Sequence, residues 1–480
     1  MGTLYREGKK TKIMNSRFTY RKTGNNLLPG GPVALLLMAL AALLPATGRA
    51  GTLAFRGASI PVLEVTPEKS TGLDRIYVAY NLEGVSAVYT ASSDQAVTWY
   101  SYSSQGGGYA EPVEGVSRSG REYTLQGIPG ERGYIVEEGT DRYYFWLVDY
   151  SDHRLYLDGI APAAEQDCMA TVLDVQMRGT PIHYYTINGR MQTLSQEIQL
   201  SYYTQEWNEQ SEQFETLLKT DILESLQERL RVTPPAYCAT TFHISGDRFL
   251  EQWNWLQEAE SERVQPYAVE VRTFADQPRV DDPDNPSNVI GGGGDELGGS
   301  APADITFRAE CTEGVIHHEW QFASDMDFED LLYRFNEQEV TYTFREDGYT
   351  YVRYIGSNAS GECEAYGDVY TVHIGASELK CPNAFSPGAS EGVNDEWKVS
   401  YRSLVEYECW IFNRHGEQLF HSTDPSEGWD GKKGGKLVKP GVYFYVIDAM
   451  GADGKHYKES GDINIINYRG AKASNTGATE

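Results

Sequence analysis

Apolar and polar residues alternate with a period of two along most of this chain, in runs of four to eight residues separated by turn clusters. Arg75 to Tyr80, Val97 to Tyr102, Gly133 to Val136 and Tyr143 to Tyr150 are such runs, broken by Gly106-Gly107-Gly108 and Ile128-Pro129-Gly130. Side chains two apart share one face of a strand, so the rhythm predicts a β-sandwich over residues 51–162. It returns in Ile305 to Ala309, Glu319 to Phe322, Val340 to Phe344, Gly348 to Tyr354 and Val369 to His373, which predicts another sandwich over 301–376. Tyr falls on both phases of the alternation, so part of it faces solvent.

Residues 163–275 read differently. Phe214, Leu217, Leu218, Ile222, Leu226 and Leu230 recur at helical spacing before Pro234-Pro235, which predicts an amphipathic helix, while Phe214 to Leu223 fits a strand equally well. Ile198 to Tyr203 and Ala268 to Thr273 are strand-like, so the segment is a second β-rich module. Trp253 and Trp255, two apart, share a face if they lie on a strand and diverge on a helix. From Asp276 to Ser300 the chain carries Asp281-Asp282-Pro283-Asp284-Asn285-Pro286 and Gly291-Gly292-Gly293-Gly294, a composition that predicts a flexible acidic and Gly-rich linker.

The N-terminus has a different pattern. Arg6, Lys9, Lys10, Lys12, Arg17, Arg21 and Lys22 precede the apolar run Val33 to Leu44, and small residues follow to Gly48-Arg49-Ala50. This order predicts a secretory signal peptide over 1–50, with Met1 or Met14 as the start, and the run is short for a transmembrane span. No later segment reaches that length. Residues 1–50 hold eight basic residues and one acid, so taking them from the chain's 41 and 69 leaves 33 and 68, a net charge of −35. A surface this acidic repels phosphate backbones, which excludes nucleic acid as a partner.

The C-terminal hundred residues carry ordered motifs: Asn383-Ala384-Phe385-Ser386-Pro387, Gly392-Val393-Asn394-Asp395, Ile411-Phe412-Asn413-Arg414-His415-Gly416, Gly428-Trp429-Asp430-Gly431 and Pro440-Gly441-Val442-Tyr443-Phe444-Tyr445. Trp410, Phe412, Leu419 and Phe420 around Asn413 to Gly416 predict a hairpin, and Asp453-Gly454 predicts a second turn before Ile463 to Ile466. Trp429 reads as a core lid and Asp430 as an acceptor for nearby backbone N–H groups. The block over 381–469 resembles the gliding motility-associated C-terminal domain, the type B sorting signal of the type IX secretion system of Bacteroidetes-type bacteria. Gly388 to Gly392 departs from the family's Asn-Gly-Asp-Gly, and residues 470–480 add a polar tail. The resemblance implies a C-terminal β-sandwich sorting domain, export through the periplasm to the outside or the outer cell surface, and a dedicated outer-membrane partner protein. The residues it carries over as fold and recognition markers are Asn383, Phe385, Pro387, Asn394, Asp395, Phe412, Asn413, Arg414, Gly416, Trp429, Asp430, Gly441 and Tyr443, none of them catalytic. The 301–376 module resembles immunoglobulin-like or polycystic-kidney-disease-like repeats of bacterial surface proteins, with Trp320 as its core tryptophan and Trp99 in the same part of the first module. The expected fold class is therefore mainly β, tandem sandwiches ending in a sorting sandwich.

Six cysteines, Cys168, Cys238, Cys311, Cys363, Cys381 and Cys409, are candidate disulfide partners in an exported chain. The module boundaries group them as Cys168–Cys238, Cys311–Cys363 and Cys381–Cys409, although six cysteines allow fifteen connectivities. No CxxC spacing points to zinc. His317-His318-Glu319 lacks the i,i+4 pair of a zinc protease, its two imidazoles would point to opposite faces of a strand, and no Gly-x-Ser-x-Gly elbow occurs. No catalytic, cofactor-binding or metal residue is assigned. Two readings remain: non-enzymatic modules for adhesion, recognition or spacing that meet an extracellular protein or glycan, and a secreted glycan or peptide hydrolase with its site in 163–275.

Overall fold

The structure is a computed structural model that describes residues 51–466, apart from 282–284, 292–296 and 389–393. The signal-peptide segment, the 470–480 tail, Gly292 to Gly294 of the glycine run and Gly392-Val393 of the sorting motif lie outside the described residues. What is described is mainly β, built as four successive sandwiches.

In the first sandwich, strands Thr52–Arg56, Ser86–Thr90, Glu122–Gln126 and Ser117–Ser119 face a six-stranded sheet that contains Arg75–Ala79, Asp141–Asp149, Arg132–Glu138 and Val97–Tyr102. The last four are the strands predicted from the alternation. The six-stranded sheet is buried on both faces: Tyr77, Trp99, Tyr134, Val136, Phe145 and Leu147 close the sandwich. Their strand neighbours Ile76, Val78, Tyr102, Ile135, Trp146 and Val148 point the other way into a core shared with Ile182, Leu200, Phe242 and Trp253 of the second sandwich. A strand buried on both faces reads as a continuous apolar run, which is why Phe145-Trp146-Leu147-Val148 shows no polar phase.

A buried carboxylate ties this junction. Asp247 is fully buried and caps the helix Arg248–Gln252, accepting from the Phe249 and Leu250 N–H groups at 3.1 and 3.0 Å. Its other oxygen accepts from the Tyr150 hydroxyl at 2.9 Å and the Gln196 amide at 3.0 Å. Tyr150 belongs to the first module and Gln196 to the second, so one side chain satisfies donors from both. Burial pushes the Asp247 carboxyl above its ordinary value against these hydrogen bonds.

The second sandwich pairs the sheet Tyr156–Pro162, Thr171–Arg178, Arg229–Val232 with the sheet Gln213–Leu223, Ile198–Asn208, His243–Gly246, Gln257–Glu260. Its first strand starts at Tyr156, before the expected boundary at 162. The helix expected from Phe214 onward is replaced by its strand alternative, because Gln213–Leu223 pairs with Ile198–Asn208 over their whole length, Asn208 to Gln213 and Ile198 to Leu223. Trp253 and Trp255 follow the short helix, with Asn254 between them at φ 62°, so they do not share a strand face, although both rings meet Tyr80.

Strand Val271–Asp276 pairs with Ala303–Cys311 and so opens the third sandwich, ahead of the expected boundary at 301. Trp320 and Trp99 are both core residues, as expected. The segment 276–300, expected to be a flexible linker, corrects to structure where it is described: Val289–Ile290 and Leu297–Gly299 join the large sheet, and Asn285 is fully buried. The Asn285 amide donates to the Tyr401 carbonyl at 3.0 Å and accepts from Ser400 and the Tyr401 N–H, binding the third sandwich to the fourth. Proline and glycine content marks this stretch as a linker, but a single buried amide with three partners orders part of it.

The cysteine grouping is also corrected. Cys168 bonds Cys363, joining the second and third sandwiches, and Cys238, Cys311, Cys381 and Cys409 are free thiols. Burial pushes Cys381 and Cys409 up to about 11. The rule of pairing within a module fails because the modules touch one another: the Glu313 N–H donates to Gln205 and the Trp207 and Phe274 rings stack at 5.8 Å across the same junction.

Two measurements test the buried carboxylates. Replacing Asp247 by Ala removes a helix cap and strands two buried donors, an expected cost of about 3 kcal/mol in chemical denaturation, with residues of the first two sandwiches unfolding in one transition because they share a core. Glu138 accepts five hydrogen bonds from Tyr89, Ser92 and Ser93. Burial alone would raise its carboxyl, yet those bonds bring it from 4.5 down to about 2. A depressed carboxyl stabilises the fold fully above its unfolded value and loses that contribution as pH falls through the folded one. Acid denaturation followed between those two values should therefore show a loss of stability that Glu138→Gln removes.

Candidate functional site

The fourth sandwich holds the residues expected to mark the sorting domain. Its main sheet runs Ala384–Phe385, His456–Ile465, Gly441–Gly451, Leu404–Phe412, Gln418–Ser422, so both predicted hairpins are present. Asn413 makes the first one: its side-chain oxygen accepts from the His415 and Glu417 N–H groups, and Gly416 sits at φ 79°, a conformation that suits a residue without Cβ. Trp429 is buried with its ring 5.6 Å from Phe385 and 5.3 Å from Tyr443, and its indole donates to the Lys432 carbonyl. Asp430 accepts from the Lys432 N–H at 3.0 Å, as the turn reading expects. Asn394 takes φ 55°, and Asp395 accepts from the Gly388 N–H at 2.8 Å. Pro387 packs in the same end of the core. Gly441 starts the long strand, and the Tyr443 hydroxyl donates to the Lys439 carbonyl.

Most motif residues are thus brought together as core and turns. Asn383, Arg414 and the outward side of Phe412 remain on the surface. Beside them lies a feature that the motif reading missed. Val442, Phe444 and Val446 alternate along one strand and are 47%, 44% and 42% exposed, with Phe412 opposite Phe444 and Trp410 opposite Val446 on the neighbouring strand. Their inward neighbours Tyr443 and Ile447 fill the core. The signal in the sequence is a run that is apolar on both phases in a sandwich with one covered face. A cleft of about 400 Å³ at the end of this stripe is lined by Asn413, Arg414, Glu417, Lys433 and Lys439 among others.

In the front modules the aromatic cluster around Trp253 divides. Trp253 packs edge-on against Tyr80 and Tyr150 and donates to the Pro61 carbonyl, whereas Trp255 lies 4.6 Å from the Tyr80 ring and remains 41% exposed. The open cleft beside it, about 680 Å³, is lined by Arg154, Glu251, Asn254, Trp255, Leu256 and Gln257, which include a single carboxylate. A second open cleft of about 830 Å³ carries Glu165, Asp167 and Glu224, but the Met169 N–H and the Arg231 guanidinium hold Asp167 below its ordinary value, opposite to what a general acid needs. His317 and His318 are successive residues of strand His317–Ala323 and point to opposite faces, as expected. His318 is 2.5 Å from the Tyr354 hydroxyl, which is 3.2 Å from Cys311. Burial lowers His318 and raises Cys311, so both are neutral rather than an activated thiolate and imidazolium. No group of three potential metal ligands occurs among the described residues.

Residues 379–465 match the CHU_C Type IX secretion signal domain. That match, over the sandwich just described, marks the chain for export by the type IX secretion system to the outer cell surface or the extracellular space. Residues 160–261, the second sandwich, match a Fibronectin type III domain. No curated protein matches the chain. Among solved structures, the chain is similar to three N-terminal domains of the bacteriophage RB49 highly immunogenic outer capsid protein Hoc, at 9% identity and TM-score 0.24, over 66% of this chain and 100% of that one. It is also similar to part of a 1.5-MDa bacterial ice-binding adhesin concerned with host cell surface retention, at 10% identity and TM-score 0.21, over 65% and 99%. The fibronectin(III)-like modules of Clostridium thermocellum CbhA follow at 12% identity and TM-score 0.16, over 34% and 85%. No helix among the described residues is long and apolar enough to cross a membrane.

Trp429 and Arg414 separate fold from recognition within the sorting domain. Trp429→Ala is expected to cost the domain about 3–5 kcal/mol, whereas exposed Arg414→Ala changes its stability by less than about 0.5 kcal/mol, both read by denaturant titration of the purified chain.

Proposed function

We propose that the chain is a non-enzymatic surface protein whose front modules act in adhesion, recognition or spacing, and whose C-terminal domain is its export address. The observation that carries this reading is the way the modules are joined. A shared apolar core, a disulfide and the buried Asn285 amide link successive sandwiches, which resists bending between them and suits presentation of a surface away from the cell. The open cleft beside Trp255 favours binding over turnover, because it carries one carboxylate where a glycosidase holds two about 5–10 Å apart across its substrate.

Within the export domain, the exposed stripe of Val442, Phe444 and Val446 with Trp410 and Phe412 is the surface offered to the dedicated outer-membrane partner protein. A contiguous apolar patch on a soluble domain favours a protein partner. Asn383 and Arg414 supply polar contacts at its margin. The motif residues Phe385, Trp429, Asp430 and Tyr443 serve that surface indirectly by holding the sheet.

Deleting residues 381–480 is expected to leave the chain in the periplasm, and Phe444→Asp with Val446→Asp to do the same while the melting temperature of the full chain stays unchanged. Export that continues after either change overturns the address or the patch. A peptide or glycan panel incubated with the purified chain tests the other half: turnover abolished by Glu251→Gln would replace the binding reading with a hydrolase.

A further inference from the structure

Strand Gln213–Leu223 lies at the edge of its sheet. It pairs with Ile198–Asn208 on one side and with no other described strand on the other. An unpaired edge presents a row of backbone donors and acceptors to any extended segment that reaches it, and natural proteins normally blunt such edges. The first four residues of this strand lie next to the following sandwich, where Glu212 pairs with Arg308 and the Phe214 ring meets Trp207, itself stacked on Phe274. The remaining seven, Leu217 to Leu223, run toward the open cleft that Ile222 and Leu223 help to line. Leu218 and Ile222 are 55% and 63% exposed, the side-chain pattern of a sheet surface that lacks a neighbour.

We propose that this edge pairs with the same edge of a second copy of this chain, antiparallel about a two-fold axis at Thr220. The occupant follows from the order of residues in Leu217-Leu218-Lys219-Thr220-Asp221-Ile222-Leu223. Turned about Thr220, this segment answers itself. Thr220 meets Thr220, each Lys219 faces the other copy's Asp221, each Leu218 faces Ile222, and each Leu217 faces Leu223. Directly opposite pairs in an antiparallel ladder are the closest side chains, so two ion pairs and four aliphatic pairs form at once.

Face by face the match also holds. Leu218, Thr220 and Ile222 lie on the outer face with Tyr203, which is 50% exposed beside Leu218. Leu217, Lys219, Asp221 and Leu223 lie on the inner face with Thr204, Tyr202, Leu200 and Ile198. Lys219 has one partner within the chain, Glu206 at 3.4 Å, and Asp221 makes no ion pair among the described residues. Charges directed to the inner face of an edge normally repel a passing strand, because that strand would bury them unpaired. A second copy is the partner that neutralises both, which makes the edge selective for itself. An isologous contact of this kind closes after two chains and does not propagate. The paired sheets would run as one eight-stranded sheet through both copies, doubling the front surface that each export domain delivers.

The test uses the full chain from residue 51 onward in analytical ultracentrifugation over a range from low to high micromolar. Wild type is expected to shift from monomer to dimer. Lys219→Asp and Asp221→Lys alone each set like charges opposite each other across the axis and are expected to weaken association by about tenfold or more. The double variant Lys219→Asp with Asp221→Lys restores opposite pairs in its own dimer and is expected to regain association, yet not to pair with wild type. Unchanged melting temperatures show that each variant is folded. Thr220→Cys supplies a second readout: oxidation is expected to cross-link two copies, whereas Thr216→Cys, far from its own symmetry mate, does not. A chain that stays monomeric throughout, a dimer that neither single reversal weakens, or a double variant that fails to recover overturns the proposal.

Discussion

The fold depends on one sheet being buried twice. Strands Arg75–Ala79, Arg132–Glu138 and Asp141–Asp149 send alternate side chains into two different cores, one inside the first sandwich and one shared with the second. Either core alone would leave half of those apolar side chains in water, at roughly 1.5–3 kcal/mol for each large one. Neither neighbour is therefore free to move away. Asp247 sits where this burial would otherwise strand polar groups, and it satisfies two helix N–H groups and donors from both modules. The apolar constraint sets the junction, and the carboxylate makes it tolerable.

The later junctions solve the same problem with other chemistry. Between the second and third sandwiches a disulfide, the Trp207–Phe274 ring stack and a few polar contacts take the place of a common core. Between the third and fourth, hydrogen bonds include those of Asn285 and of the buried Ser403, whose hydroxyl accepts from the Ala301 N–H. Ala452 of the last sandwich reaches into the core of the third. An export domain attached in this way is continuous with its passenger, while its outer sheet face stays uncovered. Inner-face residues such as Trp429 and Tyr443 hold that sheet, and outer-face residues such as Phe444 and Val446 are left to meet something else.

Much of this architecture is legible in the order of residues alone. The alternation in Val97 to Tyr102 and Tyr143 to Tyr150, the hairpin at Asn413 to Gly416 and the turn role of Asp430 all follow from local rules, because strand faces and Asx turns involve neighbours along the chain. The segment Phe214 to Leu223 is ambiguous for a physical reason. Leu218 and Ile222 satisfy a helical period as well as a strand, and only the partner strand Ile198–Asn208 decides between them. The ordered sorting motifs are readable too, but the motif does not distinguish the residues that build the sheet from those that remain on its surface.

Local pattern thus determined most of the strands and turns and the mainly β class, since those rest on spacing between near neighbours, while the address at the C-terminal end was legible as a resemblance carried by ordered motifs. Tertiary structure decided what faces what: that Ile76 and Trp146 serve a different core from Tyr77 and Phe145, that Cys168 finds Cys363 rather than Cys238, and that Asn285 orders part of an apparent linker. Each of these joins residues far apart in the chain. Such contacts form because a surface left apolar or unpaired by one module is covered by the next, and nothing in the short-range order of residues records which surface that will be.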